Sequence, residues 1–404
     1  MNTGEREIEA ELGRLVREVA AAARLLPALT GGAVAAERHR LTEVLRRGGL
    51  PVPRYRWEGR RVDRSVWSAL ARARRLCSEH PLGDLYAARL EELDLELHLM
   101  EALGDPRRIR PLAARRFGTG RDPLIRRGHP TTLHAEALEI LETTPMSREK
   151  QPIPSTAAPG APSLEGLMRG VAHRAGLAID VRVEPRLLAA AATGDRVVYI
   201  ADRTFGIREA FRLATHEVLG HLVAAANARH QPLGLLQIGT AGSFTDQEGL
   251  CLFLEEQAGW MDALRLRTLA ARVLASDRMH HRASFGETAR DLVRLWEFTP
   301  EESIALTERA YRGGGVARDV GYLRGLFRVR EAIESGASTV DELRSGKVSL
   351  DALAHLRSFE GGRWLAKPHY RPSLADSLVA MDGGTRPSTL PPNVATSFTR
   401  LELT

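Results

Sequence analysis

The 404-residue sequence predicts a mainly helical α+β protein with a small β-sheet set into its second half. Three observations carry that expectation. Apolar residues recur three and four apart through most of the chain, as in SVWSALARARRL and DLYAARLEELDLELHLMEAL. Two short β-rich runs, AIDVRVE and VVYIA, stand close together in the middle. The composition, 43% hydrophobic and 27% charged, suits a folded chain with at least one substantial core rather than a disordered one.

The elements follow in order. Residues 1–30 and about 64–104 read as amphipathic helices, TLHAEALEILE is a further one, and 1–150 is expected to form a helical N-terminal region. Proline, serine and small residues dominate 144–163, which reads as a linker. Beyond it come a helix (LEGLMRGVAHRAG), the strand AIDVRVE, a turn at Gly194 and Asp195, and the strand Val197 to Ile200, read as an edge strand. A long helix over about 206–228 follows, then helices to about 358, so that 163–358 forms the second domain. The remainder, 359–404, with KPHYRPS and DGGTRPSTLPPN, has no period and reads as a loosely ordered tail.

The net charge of +6 is almost wholly arginine, since the only lysines are Lys150, Lys347 and Lys367. Arginine doublets crowd the first third, where they either attract an acidic protein tail or form a solvated helical surface paired to glutamates. With 5% aromatics and no recognised module, nucleic acid is not an expected partner. No apolar run is long enough to span a bilayer and the N-terminus is charged, so a cytoplasmic location and no membrane are expected. Cys77 and Cys251 are too few for a disulfide framework or an all-cysteine metal site, which points any metal toward His, Asp or Glu.

The chemistry concentrates in Thr215-His216-Glu217-Val218-Leu219-Gly220-His221, inside the long helix. Two imidazoles flanking a glutamate suit Zn2+ held by His216 and His221, with Glu217 taking a proton from an activated water. The usual spacing is H-E-x-x-H. The additional residue here rotates the second histidine roughly 140° from the first on a helix of about 3.6 residues per turn. A π-type turn restores the alignment, and Gly220 sits where a pliable backbone eases it. Ile207, Phe211, Ala214, Val218, Leu222 and Ala225 form one apolar stripe, with Leu219 and Val223 on the other side, so the helix is expected to be enclosed. Buried polar groups there need partners, from a metal or from ordinary core hydrogen bonds.

A third ligand is needed. Glu248 in TDQEGL is the candidate, although Thr245 and Glu248 also have capping-box spacing, and spacing leaves both readings open. Glu255 and Glu256 are fallback ligands, or partners of the ligands.

The run THEVLGHLVAAANARHQPLGLLQIGTAGSFTDQEGLCLFLEEQAG, with the later RGGGVARDVGYLRGL, resembles the QEGLA-motif proteins. Some of these are labelled flavohaemoglobin expression modulators, and their relatives include the tubulin tyrosine carboxypeptidases. The resemblance covers roughly 163–335. It implies a zincin-like metallocarboxypeptidase domain, with His216, His221 and Glu248 as zinc ligands and Glu217 as the catalytic glutamate. Cys251 departs from the motif by replacing its alanine. A zinc dipeptidyl peptidase family carries the similar hexapeptide His-Glu-Leu-Leu-Gly-His, a shorter likeness.

The expected activity is removal of a C-terminal residue, tyrosine or phenylalanine by family resemblance, from a peptide or protein. Arg312, then Arg318, are the candidates for the substrate carboxylate, and Tyr322 for the oxyanion; surface solvation and core packing are the competing readings. Asn227 and Gln231 read as loop-fixing or ligand-supporting, and the strand Val197 to Ile200 as a support for an extended peptide. Rival activities are a zinc endopeptidase or dipeptidyl peptidase, or a non-catalytic regulatory protein with a structural zinc. The oligomeric state is not specified by the sequence.

Overall fold

The computed structural model describes residues 3–25, 29, 34–147, 152–158, 161–185, 187, 189–359 and 363–378. It is mainly helical with small sheets, as expected. Helices α1 (Thr3–Ala22), α2 (Val34–Arg46), α3 (Arg64–Leu76), α4 (Gly83–Ala102), α5 (Pro106–Phe117) and α6 (Leu133–Thr143) come first. Asp63, Asp105 and Thr132 cap α3, α5 and α6 by accepting a backbone N–H of the first turn. A hairpin of β1 (Pro123–Arg126) and β2 (His129–Thr132) separates α5 from α6; its four-residue strands each contain a proline and are too short to announce it.

After the proline-rich stretch, β3 (Pro152–Ile153) pairs antiparallel with β7 (Phe205–Gly206). Helix α7 (Leu164–Arg174) then packs on a three-stranded sheet of β4 (Asp180–Val183), β5 (Ala191–Thr193) and β6 (Val197–Ile200). Its order is β4-β6-β5, with β4 parallel and β5 antiparallel to β6. The strand Val197 to Ile200 is therefore central, not an edge, which corrects the sequence expectation. Gly194 turns the chain, its N–H donating to Val197 O at 2.7 Å, and Ala191-Ala192-Thr193 fold back along β6. Those small residues have no β-rich signature. The free edge that packs on the metal-motif helix is β5.

That helix runs as α8 (Ile207–Ala214), a π-helix (Thr215–Leu222) and α9 (Val223–Ala228). The remaining helices are α10 (Leu235–Ile238), α11 (Ser243–Gln257), α12 (Ala263–His280), α13 (Phe285–Trp296), α14 (Pro300–Tyr311), α15 (Val320–Glu334), α16 (Val340–Leu343), α17 (Leu350–Arg357) and α18 (Leu374–Leu378). Among the described residues no helix is long and apolar enough to cross a membrane.

Two large apolar groups hold these elements. One runs from Leu12 to Trp364 and joins helices before residue 150 to those after 233. The other lies between Leu164 and Ala226 and joins α7, the sheet and the metal-motif helix. Within the span expected to be a loose tail, residues 363–378 are anchored: Trp364 is fully buried against the His80 ring, Gln231 exchanges hydrogen bonds with Ala366, and Asn227 with Tyr370. Residues 379–404 lie outside the described residues.

Candidate metal centre

The π-helix over Thr215–Leu222 accommodates the additional residue of the motif. It brings the His216 and His221 rings to 5.0 Å between centroids, at 77° to one another. Gly220 supplies room as well as pliancy, because a Cβ there would overlap Cys251 Sγ. Thr215 to Gly220 are all buried, as the two-sided apolar pattern implied.

Helix α11 faces this segment. It starts after Gly242 with no side-chain cap, and Glu248 lies within it, so the capping-box alternative is not realised. Its backbone nearly touches that of α15: a Cβ on Gly249 would overlap Gly325, and one on Gly325 would overlap the Thr245 carbonyl. Glu248, Cys251 and Glu255, spaced three and four apart, share the face turned toward the π-helix.

Glu248 Oε2 lies 3.2 Å from His216 Nε2 and 3.7 Å from His221 Nε2. It is sealed from solvent and makes no hydrogen bond within the protein. Two ring nitrogens and one carboxylate oxygen, 93% or more buried at His216 and Glu248, thus converge at ion-pair distance, the arrangement a cation would complete. Burial opposes the Glu248 charge, yet the two imidazoles hold its carboxyl well below the usual carboxylate range.

His216 is backed by a carboxylate. Its Nδ1–H donates to Glu255 Oε1 at 2.7 Å, and Arg265 holds Glu255 through Nε at 2.9 Å and Nη2 at 3.0 Å, with Arg212 at 3.5 Å. Burial raises the Glu255 carboxyl, but Arg265, Arg212 and His216 together depress it strongly. Burial also works against a charged His216, while Glu248 and Glu255 outweigh it and lift that imidazole to about 9. The support expected of Glu255 is therefore present, and Glu256 pairs instead with Arg330.

Glu217 accepts a hydrogen bond at Oε2 from Thr193 Oγ1 of β5, 2.5 Å away. Cys251 Sγ is 3.6 Å from His221 Nδ1, and burial, then the carboxylates of Glu248, Glu217 and Glu255, push its thiol well above the ordinary range. Among the described residues, His216, His221 and Cys251 form a group whose ligand atoms lie within 4.8 Å of one another. Two cysteines in a sequence turned attention away from sulfur, and the structure brings one of them back to the centre.

Tyr322 feels the Glu248 charge, and Arg318 acts on Tyr322 in turn. Burial and the Glu248 charge push the Tyr322 hydroxyl up to about 12, so it remains a donor at neutral pH. The half-buried Arg318 stacks on Phe244, 4.5 Å from its centroid, and Phe244 meets Tyr322 edge to face. Arg312 is engaged elsewhere: its Nη2 donates to Glu308 at 2.6 Å, and Glu308 is also bound by Arg38 and Tyr55. The sequence reading passed over Arg272 and Arg309, which share the single carboxylate of Asp319. Burial, and after it the Arg309 charge, pull Arg272 down to about 9. The RGGGVARD motif contained Asp319 but gave no sign of its two partners. His230, His280 and His281 belong to other contacts.

Among curated proteins and among solved structures, none matches the chain significantly. Residues 46–383, most of its length, match the family described as microtubule-associated tyrosine carboxypeptidase. That match spans well over half of the sequence, and the chain belongs to the microtubule-associated tyrosine carboxypeptidase family.

Proposed function

We propose that this protein is a zinc carboxypeptidase of zincin-like design that removes a C-terminal tyrosine or phenylalanine from a peptide or protein tail. The observation that carries the reading is the buried Glu248 Oε2, poised between the Nε2 atoms of His216 and His221 without a hydrogen bond of its own. Residue preference and an acidic tail are drawn from the family's description and from the arginine-rich first third.

When bound, zinc acts as a Lewis acid that acidifies a water and polarises the scissile carbonyl. His216, His221 and Glu248 hold the ion. Glu217 is the proton carrier: Thr193 fixes Oε2, which leaves Oε1 to take the water's proton and return it to the leaving amine. Tyr322 stays protonated and donates to the oxygen that gains charge. The free edge of β5 offers main-chain groups to an extended substrate. Arg318, rather than the Glu308-bound Arg312, is the available fork for the terminal carboxylate, with the positive excess of Arg272 and Arg309 over Asp319 behind it.

A second reading has its own observation. If Cys251 Sγ joined the histidines and Glu248, the site would be closed and the zinc structural. Replacing Glu217 by Gln separates the two. Metal content should be unchanged while release of a C-terminal tyrosine falls by about 10²- to 10⁴-fold. Unaltered release, or no bound metal in the parent, defeats the proposal. Amidating the peptide C-terminus should abolish cleavage by a carboxypeptidase and spare that by an endopeptidase.

A further inference from the structure

The two histidines of the centre are supported very differently. His216 Nδ1 faces a buried carboxylate, itself clamped by two arginines. His221 is more exposed, its side chain 24% accessible against 8% for His216. Among the described residues, the side-chain hydrogen-bond partner seen at His221 Nδ1 is Cys251 Sγ. That sulfur is fully buried and in no disulfide, and Gly220 leaves the space it fills. The unpartnered Glu248 Oε2 shows independently that a ligand belongs on the Nε2 side of His221.

Resting on the zinc reading above, we infer that Cys251 is a positioning residue for His221, holding its Nδ1–H while Nε2 binds the metal, and is not itself a ligand. The tautomer supports this assignment. A ring that presents its Nε2 lone pair to a cation carries its proton on Nδ1, and the group within reach there is the sulfur. The thiol thus occupies, for the second histidine, the place that the Glu255 carboxylate takes for the first. Sulfur accepts weakly, so His221 is the less firmly oriented ligand and the one through which the site is adjusted. A thiolate ligand would have to turn from Nδ1 to the Nε2 side, where Glu248 Oε2 already stands.

The test uses the full-length protein with Zn2+ and Co2+ as probes. Zinc dissociation constants are measured by chelator competition for the parent, Cys251→Ala and Cys251→Ser, and circular dichroism checks that each variant is folded. Loss of an orienting partner should weaken zinc by about 10-fold in Cys251→Ala. Cys251→Ser, which restores an acceptor, should recover part of that loss. The Co2+-loaded parent should show no sulfur-to-cobalt charge-transfer band in the near ultraviolet. A band that disappears in Cys251→Ala makes Cys251 a ligand and overturns the inference. Equal affinity in parent and Cys251→Ala, or equal weakening by Ala and Ser, overturns it too, the latter by assigning the effect to packing. Failure of the parent to bind zinc is a different outcome, which sinks the zinc reading itself. If Cys251→Ala does not fold, Cys251→Ser and the cobalt spectrum of the parent decide between orientation and ligation.

Discussion

The two large apolar groups contribute to the centre in unlike ways. The smaller, around α7 and the sheet, carries His216, Glu217 and His221 on a single helical segment and reaches Glu217 through Thr193. The larger, built of helices from both ends of the chain, delivers Glu248, Cys251 and Glu255 on α11, with Arg265 behind them. The smaller side thus holds the two histidines and Glu217, and the larger supplies Glu248 with most of the groups that fix orientation and charge. The consequence is that a site of this kind depends on how closely the two apolar groups approach, because its third ligand comes from the larger one.

The largest effect is expected where the larger group sets that approach. Gly249→Ala places a methyl group against the Gly325 backbone, which cannot move aside as a side chain could. Overpacking of this kind costs about 3 kcal/mol, and zinc affinity should fall with stability as α11 is pushed out of register. Denaturant titration with and without zinc measures both; a stable variant with parental affinity would show that the two groups do not depend on this contact.

The pH dependence of metal-free protein sharpens the comparison from the other side. Burial opposes charge on His216, but Glu248 and Glu255, both from the larger group, lift its pKa from 6.5 to about 9. A raised histidine stabilises fully below its unfolded value and loses that contribution as pH rises through the folded one. Chelator-treated protein should therefore lose up to about 3 kcal/mol between pH 6.5 and 9, whereas zinc-loaded protein, whose ligand nitrogen carries no proton, should not. Parallel stability curves for the two forms would show that the cross-boundary pairing does not contribute.

This division also explains what the sequence disclosed. His216, Glu217 and His221 were legible because they share one helical segment, where a five-residue step can be tested against helix geometry and the π-turn deduced. Glu248 was legible only as one of two readings, since the same spacing serves a cap; the Gly242 start removes the cap. Glu255 was legible as a partner of the ligands because it lies two turns beyond Glu248 on one face, but the sequence could not separate it from Glu256, which pairs with Arg330. Arg312 ranked ahead of Arg318 in the sequence, yet Glu308, four residues before it, engages it; that near pairing was readable, whereas the gathering of Arg38 and Tyr55, distant along the chain, on the same carboxylate was not. The central place of β6 was hidden because β5 is three small residues whose pairing follows from the Gly194 turn rather than from any apolar pattern.

The smallest expected effect tests that hidden strand. Thr193 donates to Glu217 Oε2, so it orients the proton carrier without touching the metal ligands. Thr193→Val keeps the shape and removes the hydroxyl, which should reduce kcat by about 10-fold, roughly 1.4 kcal/mol and at the low end for one hydrogen bond to a charged group. KM and zinc affinity should be unchanged, and Thr193→Ser should retain most of the parental rate. If zinc affinity fell together with kcat, Thr193 would be acting through the packing of β5 on the π-helix. The smaller apolar group would then shape the metal centre as directly as the larger one does, and the contrast between a reacting side and an orienting side would collapse.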